Sequence, residues 1–433
     1  MNALLAVNIV YGPVIMTSFV VSAALLLYLL VRPPTRRWLL TSVSALLAGG
    51  MLAVLTWLIV VRLLHAVRIP LSHVIYFWLA ATFAGVALAV VNLWRSRWWR
   101  KLTATGAILV FLVTGTLAIN AKFGLNRTLG AFVGASIQNP VALPPPTGAP
   151  GQSKSKGPLW KTWKPPAGMP EHGTVGTAVI PGTLSGFTAR PAGIYLPPAA
   201  LVANPPALPL VVMMMGRPGA PDPHYAATIL DRFAATHHGL APIVVVADQL
   251  GDPTIDTLCL DTAQFGNVET YITQDVVNWA IANLNVTHDH RYWTIAGYSN
   301  GGQCAMSFMA KYPRLWSNVL DISGEEYPGS DAPSGVLNNI FHGDQAAYDA
   351  QKPINILAKT KLPNTFGVFT VGSNDGAYIP GVQRTVAAAA AAGMSTVYYE
   401  APNGGHVLPA LTDGLKKGFE LLYSRLGLSA APL

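Results

Sequence analysis

The chain has 433 residues, of which 51% are hydrophobic and 11% are charged, and its formal net charge at pH 7 is +8. Residues 1–173 hold fifteen Lys or Arg and a single acidic residue, Glu171, whereas the rest of the chain holds thirteen Lys or Arg against nineteen Asp or Glu. The positive charge therefore belongs to an apolar, membrane-embedded half. The net positive charge of the chain is therefore not attributed to a nucleic-acid-binding surface. We predict no nucleic-acid partner.

Four apolar runs without an acidic residue are each long enough to cross a bilayer. They cover roughly residues 10–31, 39–61, 69–94 and 102–121. A cleaved signal peptide is the alternative for the first run, but this run lacks an N-terminal positive charge and is longer than the apolar part of such peptides. Buried helices of a soluble bundle would need polar faces, which these runs lack. We predict a four-span transmembrane region over residues 1–125.

Basic residues between the runs predict the orientation of the spans. The loops after the first and third runs are the most basic, with Arg32, Arg36 and Arg37 in one and Arg95, Arg97, Arg100 and Lys101 in the other. The positive-inside rule places both loops in the cytoplasm. The second loop, with Arg62, His65 and Arg68, is less basic and is predicted to face outward. The residues after the fourth run are then on the extracytoplasmic side.

Residues 126–174 are rich in Pro, Gly, Ser and Lys and are predicted to form an extended linker with little core of their own. Residues 175–433 are predicted to form the catalytic domain.

Short apolar strands alternate with helices in residues 175–433. Predicted strands cover residues 177–180, 192–196, 208–215, 243–247, 292–296, 319–322, 366–371 and 396–399, and predicted helices include residues 225–237, 268–282, 302–312, 383–392 and 409–425. This alternation predicts an α/β-hydrolase domain, with a mostly parallel sheet and helices on both faces. No helix separates the first two strands, which predicts an antiparallel edge.

The strand predicted at residues 292–296 leads directly into the pentapeptide Gly297-Tyr298-Ser299-Asn300-Gly301, and a helix follows. G-x-S-x-G between a strand and a helix is typical of a nucleophile elbow, a sharp turn that exposes the serine Oγ. In a chain with 40 glycines the pattern also arises by chance, so the interpretation depends on an acid and a base downstream. We predict Ser299 as the nucleophile.

In this fold the acid and the base follow the serine in the order Asp or Glu, then His. Asp375 lies in a turn after the strand at residues 366–371, and His406 lies in a Gly-flanked turn after the last strand. We predict His406 as the base and Asp375 as the acid that orients it. Glu325 and Glu326 follow the strand after the elbow and are the alternative acids. They can equally belong to a solvated loop or contact the substrate.

The oxyanion of an acyl-transfer reaction needs two hydrogen-bond donors. One is predicted to be the backbone N–H of Asn300, and the other an N–H in the loop at residues 215–219, where Gly216 and Arg217 are alternatives. Arg217 is also compatible with a contact to a substrate phosphate or carboxylate, or with an ordinary surface position. No metal-ligand spacing, P-loop or dinucleotide fingerprint occurs, so no metal and no cofactor are expected.

The chain has two cysteines, Cys259 and Cys304. An even count outside the cytoplasm is compatible with one disulfide, which would brace the rim of the site. Two free, buried thiols are the alternative.

Residues 176–426 resemble the esterase-D and mycolyltransferase branch of the α/β-hydrolases. The resemblance rests on Ile194-Tyr195-Leu196-Pro197-Pro198, on Gly216-Arg217-Pro218-Gly219, on the elbow at Ser299 and on the turns of Asp375 and His406. It implies a serine esterase, thioesterase or acyltransferase without a cofactor. Met215 stands where many esterases have a His, so the substrates of esterase D are not implied. With its four spans, the chain is similar to actinobacterial membrane esterases, some of which are associated with removing amino acids from aminoacylated phosphatidylglycerol.

We therefore expect a membrane-anchored, extracytoplasmic serine ester hydrolase that acts on lipid-linked or cell-envelope esters, such as aminoacyl or acyl lipids. A mycolyltransferase-type acyltransferase, which passes the acyl group to a sugar or lipid hydroxyl, would use the same residues and is the alternative. A transporter or sensor is disfavoured because such proteins place ionisable residues within their spans, and the centres of these runs hold none. No oligomeric state is predicted.

Overall fold

The computed structural model describes residues 2–63, 73–124, 126–135, 139–142 and 157–430. The chain divides into two compact units, Met1–Ala135 and Ser136–Leu433.

The first unit is helical. Its helices are α1 (Asn2–Leu5), α2 (Pro13–Leu30), α3 (Arg36–Trp57, continued by a π-helix at Leu58–Leu63), α4 (His73–Val91), α5 (Trp98–Phe123) and α6 (Leu129–Phe132). Four of them, α2 to α5, are long and apolar enough to cross a membrane, which confirms the four predicted apolar helices. His65 and Arg68, in the loop predicted to face outward, lie outside the described residues.

The long helices pack through a narrow apolar seam. Helix α2 packs on α5, and α4 packs on both α3 and α5. Leu29, Leu88 and Phe111 lie in the buried cluster between them. Large side chains on the outer faces are exposed, including Met51, which is 74% exposed. An outer surface this apolar is suited to contact with lipid rather than with water.

Arg100, at the start of α5, closes the end of α2. Its guanidinium donates to the backbone carbonyls of Leu29 at 2.7 Å, Tyr28 at 3.0 Å and Val31 at 3.1 Å, and its Nε donates to Asn92 Oδ1 at 2.7 Å. The last carbonyls of a helix have no partner within the helix, and a cation there also offsets the helix dipole. The contact fixes α2 against α5 at the end where the predicted cytoplasmic loops lie.

The second unit is built on an eight-stranded sheet with the order β1-β2-β4-β3-β7-β8-β9-β10. The strands are β1 (Thr174–Ala178), β2 (Ala192–Leu196), β3 (Leu210–Met214), β4 (Ile243–Ala247), β7 (Thr294–Tyr298), β8 (Asn318–Ile322), β9 (Phe366–Gly372) and β10 (Ser395–Ala401), and a separate hairpin joins β5 (Asp261–Thr262) to β6 (Gly266–Asn267). Within the eight-stranded sheet, β2 pairs antiparallel with both β1 and β4, and the other pairs are parallel. The predicted antiparallel edge is confirmed.

Ten α-helices of this unit lie among the described residues. They are α7 (Leu159–Thr162), α8 (His224–Thr236), α9 (Val268–Thr270), α10 (Val276–Asn283, joined to α9 by a π-helix at Tyr271–Asp275), α11 (Asn300–Lys311), α12 (Pro333–Asn339), α13 (Gln345–Asp349), α14 (Pro353–Leu357), α15 (Ile379–Ala391) and α16 (Leu408–Arg425).

Helices cover both faces of the sheet, as side chains of β8 illustrate. Ile322 lies against Gly414 and Leu320 lies against Gly418, both in α16. Asp321 lies against Gly302 of α11. Alternate residues of a strand point to opposite faces, so α16 and α11 lie on opposite sides. A mostly parallel sheet with helices on both faces confirms the predicted fold class.

The segment before β1 packs on this unit where the structure describes it. The N–H of Trp160 donates to the carbonyl of Gly427 at 3.0 Å, and Trp163 Nε1 donates to the carbonyl of His238 at 2.9 Å. Both tryptophans therefore have local partners in the second unit.

Candidate active site

Ser299 occupies the sharp turn between β7 and α11. Its backbone has φ 57° and ψ −119°, a conformation that side-chain-bearing residues rarely adopt. The backbone at two glycines of the turn also lies in close contact with neighbouring backbone atoms. A Cβ at Gly297 would collide with the backbone of Gly301, and a Cβ at Gly301 would collide with the carbonyl of Met214 on β3. The two glycines of the motif are needed for this backbone path, which is that of a nucleophile elbow.

Ser299, His406 and Asp375 form one continuous hydrogen-bonded chain. Ser299 Oγ lies 2.7 Å from His406 Nε2, and His406 Nδ1 lies 2.8 Å from Asp375 Oδ2. All three residues are buried, and Asp375 is fully so. A serine in this contact can pass its proton to the imidazole, and the carboxylate can hold the ring in the required tautomer.

The loops that carry Asp375 and His406 are bonded to each other through their backbones. The N–H of Asn374 donates to the carbonyl of Gly404 at 2.7 Å, and the N–H of Ser373 donates to the carbonyl of Ala401 at 2.9 Å. These loops follow the neighbouring parallel strands β9 and β10. Parallel strands end at the same edge of a sheet, so the acid and the base are brought together there.

Two tyrosines flank the imidazole. The ring of Tyr378 lies 3.9 Å from that of His406, centroid to centroid, and the ring of Tyr298 lies 5.4 Å from it. Burial raises the pKa of both tyrosine hydroxyls, so both stay neutral at ordinary pH. Sequence reasoning missed this contact. Tyr298 lies within the G-x-S-x-G motif, but no local signal assigns Tyr378 to the same ring.

The loop after β3 lies against the elbow. The Cα of Gly216 is so close to Ser299 that a Cβ added there would lie 3.1 Å from the Cβ of Ser299. Gln249 joins the two segments, since its Nε2 donates to the carbonyl of Met215 at 2.6 Å and to Asn300 Oδ1 at 3.1 Å. Asn300 begins α11, and the first N–H groups of a helix have no partner within the helix. The two predicted sources of oxyanion donors are thus adjacent.

The side chain of Arg217 forms an ion pair within the second unit. Its guanidinium donates to Asp331 Oδ2 at 2.9 Å, and its side chain is 29% exposed.

The alternative acids lie elsewhere. Glu326 forms a bidentate ion pair with Arg384 at 2.6 Å. Glu325 is buried and groups with Asp256 and Asp331, each offering one oxygen within 4.8 Å of the others. Burial, followed by repulsion from Asp256 and Asp331, raises the pKa of Glu325 well above its usual value. Asp375 is the carboxylate in contact with His406, while Glu325 belongs to an acidic group that the sequence did not reveal.

Cys259 and Cys304 form a disulfide. It links the loop after β4 to α11, one turn beyond Ser299. The elbow helix and the loop that carries Asp256 are therefore covalently joined.

Comparison with known proteins identifies the family of the chain. Residues 189–365 match the Esterase family model. The chain is 31% identical over 401 residues to an uncharacterised protein of Corynebacterium glutamicum, and the alignment covers 89% of each protein.

Two solved structures resemble part of this chain. A ferulic acid esterase superposes with a TM-score of 0.50 at 16% identity, covering 60% of this chain and 99% of the esterase. An S-formylglutathione hydrolase from Agrobacterium tumefaciens has a TM-score of 0.49 at 15% identity, covering 59% of this chain and 97% of the hydrolase. At 16% identity, the first of these supports the fold alone.

Proposed function

The chain belongs to the Esterase family of α/β-hydrolases, and on that premise we propose that it is a membrane-anchored serine ester hydrolase working outside the cytoplasm. The observation that carries the proposal is the hydrogen-bonded chain from Ser299 Oγ through His406 to Asp375. Proton transfer and ring orientation in acyl transfer need these groups at these contacts.

In the proposed reaction, Ser299 Oγ attacks the ester carbonyl while His406 Nε2 takes its proton. Asp375 stabilises the imidazolium that forms. The backbone N–H of Asn300 and an N–H from the adjacent loop at Gly216 or Arg217 receive the oxyanion. His406 then protonates the leaving alcohol, and water activated by His406 releases the acyl group as a free acid.

Three features support the proposal that the chain is anchored in the membrane and that its second unit lies outside the cytoplasm. Four helices are long and apolar enough to span a bilayer. The junctions between α2 and α3 and between α4 and α5 carry the concentrated positive charge typical of the cytoplasmic ends of membrane spans. The disulfide between Cys259 and Cys304 suits an oxidising compartment.

We further propose that the substrate is a lipid-linked or cell-envelope ester, such as an aminoacyl or acyl lipid. A catalytic unit tethered to a membrane meets esters at that surface at a high effective concentration.

A fluorophosphonate probe tests the proposal because it labels only activated serines. We expect labelling of the wild-type protein and of Ser424→Ala, a matched change near the C-terminal end of α16, but not of Ser299→Ala. Labelling of Ser299→Ala at the wild-type level would show that another residue is the nucleophile.

A further inference from the structure

A group of three carboxylates beside the elbow has no role in the reaction steps above. Asp256, Glu325 and Asp331 each place one oxygen within 4.8 Å of the other two. They come from the loop after β4 and from the long connection between β8 and α12. Like charges repel at this distance, so the fold holds together three groups that would otherwise separate.

This acidic group is joined directly to the proposed nucleophile and its neighbour. Asn300 Nδ2 donates to Asp256 Oδ1 at 3.0 Å, and the N–H of Glu325 donates to the carbonyl of Ser299 at 3.3 Å. The acidic group therefore adjoins the turn that carries Ser299.

Among the groups that the structure describes, the three carboxylates outnumber the cation that contacts them. Among the described residues, Arg217 contacts Asp331, but Glu325 Oε2 and Asp256 Oδ2 are buried without a hydrogen-bond partner. Glu325 is only 8% exposed. With all three carboxylates ionised, the group and the guanidinium of Arg217 would carry a net charge of −2. Burial opposes that charge and raises the pKa of Glu325, so a cationic ligand would be needed to keep all three ionised. Buried, unpaired charge of this kind is concentrated at functional sites.

We propose that Asp256, Glu325 and Asp331 form a subsite for a primary ammonium group carried by the substrate near its ester carbonyl. This inference rests on the proposed function of Ser299 and narrows the substrate class to esters that bear an amine. An ammonium has three N–H donors, which match one acceptor oxygen from each carboxylate. Its single charge suits a group in which Arg217 already contacts Asp331.

A divalent cation fits this group less well. The guanidinium of Arg217, 2.9 Å from Asp331, would repel it. Calcium also takes about six to eight oxygen ligands, more than the three carboxylate oxygens gathered here.

The test compares two esters on the purified full-length protein in detergent. Glycine benzyl ester and benzyl propanoate differ in that a methyl group replaces the ammonium. The ammonium also makes an ester intrinsically more reactive, so the decisive quantity is how the ratio of the two kcat/KM values changes between variants. We expect Glu325→Gln to lower the ratio of amine to neutral ester by roughly 10- to 100-fold. Asp331→Asn, at a partly exposed position, should lower it in the same direction.

Glu326→Gln is the matched control. Glu326 is adjacent in sequence but pairs with Arg384 outside the acidic group. The Arg384 side chain of this pair is 58% exposed, so loss of the pair should keep the ratio within roughly threefold of wild type. An equal fall in Glu326→Gln and Glu325→Gln would overturn the subsite, as would a ratio that changes with EDTA, which would indicate a divalent cation.

Fluorophosphonate labelling separates the two proposals. Unlabelled wild-type protein overturns the function and the subsite together. Labelled variants with an unchanged ratio overturn the subsite alone. If labelled protein cleaves neither ester, protection from labelling decides. Glycine benzylamide should protect better than N-benzylpropanamide in wild type but not in Glu325→Gln, and equal protection by both amides overturns the subsite.

Discussion

The ring of Tyr378 stacks on the imidazole of His406, with centroids 3.9 Å apart and planes at 22°. The imidazole is therefore held on its face by an aromatic ring and at Nδ1 by Asp375. Proton transfer from Ser299 depends on the orientation of this ring, and packing of this kind restricts its rotation.

Removing the ring of Tyr378 should leave the imidazole of His406 less well oriented. We expect Tyr378→Ala to lower kcat for a neutral 4-nitrophenyl ester by about 10- to 100-fold, because small misplacements of a catalytic group cost factors of this size. Tyr378→Phe keeps the ring and should stay close to wild type. If both variants lose activity equally, the hydroxyl rather than the stacking is what matters.

The carboxylate of Asp375 can be replaced without changing its shape. Asp375→Asn should lower kcat by about 10⁴-fold, since an amide favours the wrong imidazole tautomer. The rates are measured with the same neutral ester. Glu325→Gln serves as the comparison, because Glu325 is the other acid that the sequence offered. A larger loss of kcat in Glu325→Gln would assign the orienting role to Glu325.

The close approach of Gly216 to the elbow predicts a local effect. In Gly216→Ala the new Cβ would lie 3.1 Å from the Cβ of Ser299 and 3.2 Å from the ring of Tyr298. We expect kcat to fall by roughly 10-fold or more because the serine must shift, with little change in the melting temperature. Activity equal to that of wild type would show that the loop yields instead.

Asp321 should make stability depend on pH. It is 2% exposed, and burial raises its pKa to about 7. The unfolded chain loses this proton near pH 4, so the folded state binds more protons between about pH 4 and 7, and its stability falls as pH rises through that window. Asp321→Asn mimics the protonated form and can still accept the bond from the Gly324 N–H.

We therefore expect Asp321→Asn to stabilise the protein at pH 8 by up to about 4 kcal/mol, with the gain shrinking towards pH 4. Melting temperatures at pH 5 and pH 8 measure this. Groups shared by both proteins cancel in the comparison, so an equal gain at both pH values would rule out titration of Asp321 as the cause.

The orientation of the spans can be tested by cysteine labelling. The chain's two cysteines are joined in a disulfide, so a maleimide should react with an introduced cysteine and not with the native ones. In intact cells, a membrane-impermeant maleimide should label Thr183→Cys in the second unit but not Pro34→Cys in the loop after α2. Permeabilised cells should show both. The reverse pattern would place the catalytic unit in the cytoplasm.

The local hydrophobic pattern of the sequence predicted many of the strands and helices. Strands β2 and β4 begin and end at the predicted residues, 192–196 and 243–247, because each is a short apolar run bounded by turn residues. The first strand is displaced, running over Thr174–Ala178 instead of residues 177–180, since its position follows from pairing Thr174 with Leu196. Helices α12 to α14 are short and were not predicted, because they lack a sustained apolar period.

Within the candidate site, the order of Ser299, Asp375 and His406 along the chain follows from the topology of the fold, because neighbouring parallel strands deliver their following loops to one sheet edge. The sequence by itself therefore determined the apolar spans, the alternating strands and helices and the elbow. Only the tertiary structure decided that Asp375 and not Glu325 meets the imidazole, that Tyr378 covers it, and that Asp256 and Glu325 converge beside the serine. These contacts join side chains far apart in the sequence, and a local pattern holds no information about which distant loops the packing brings together.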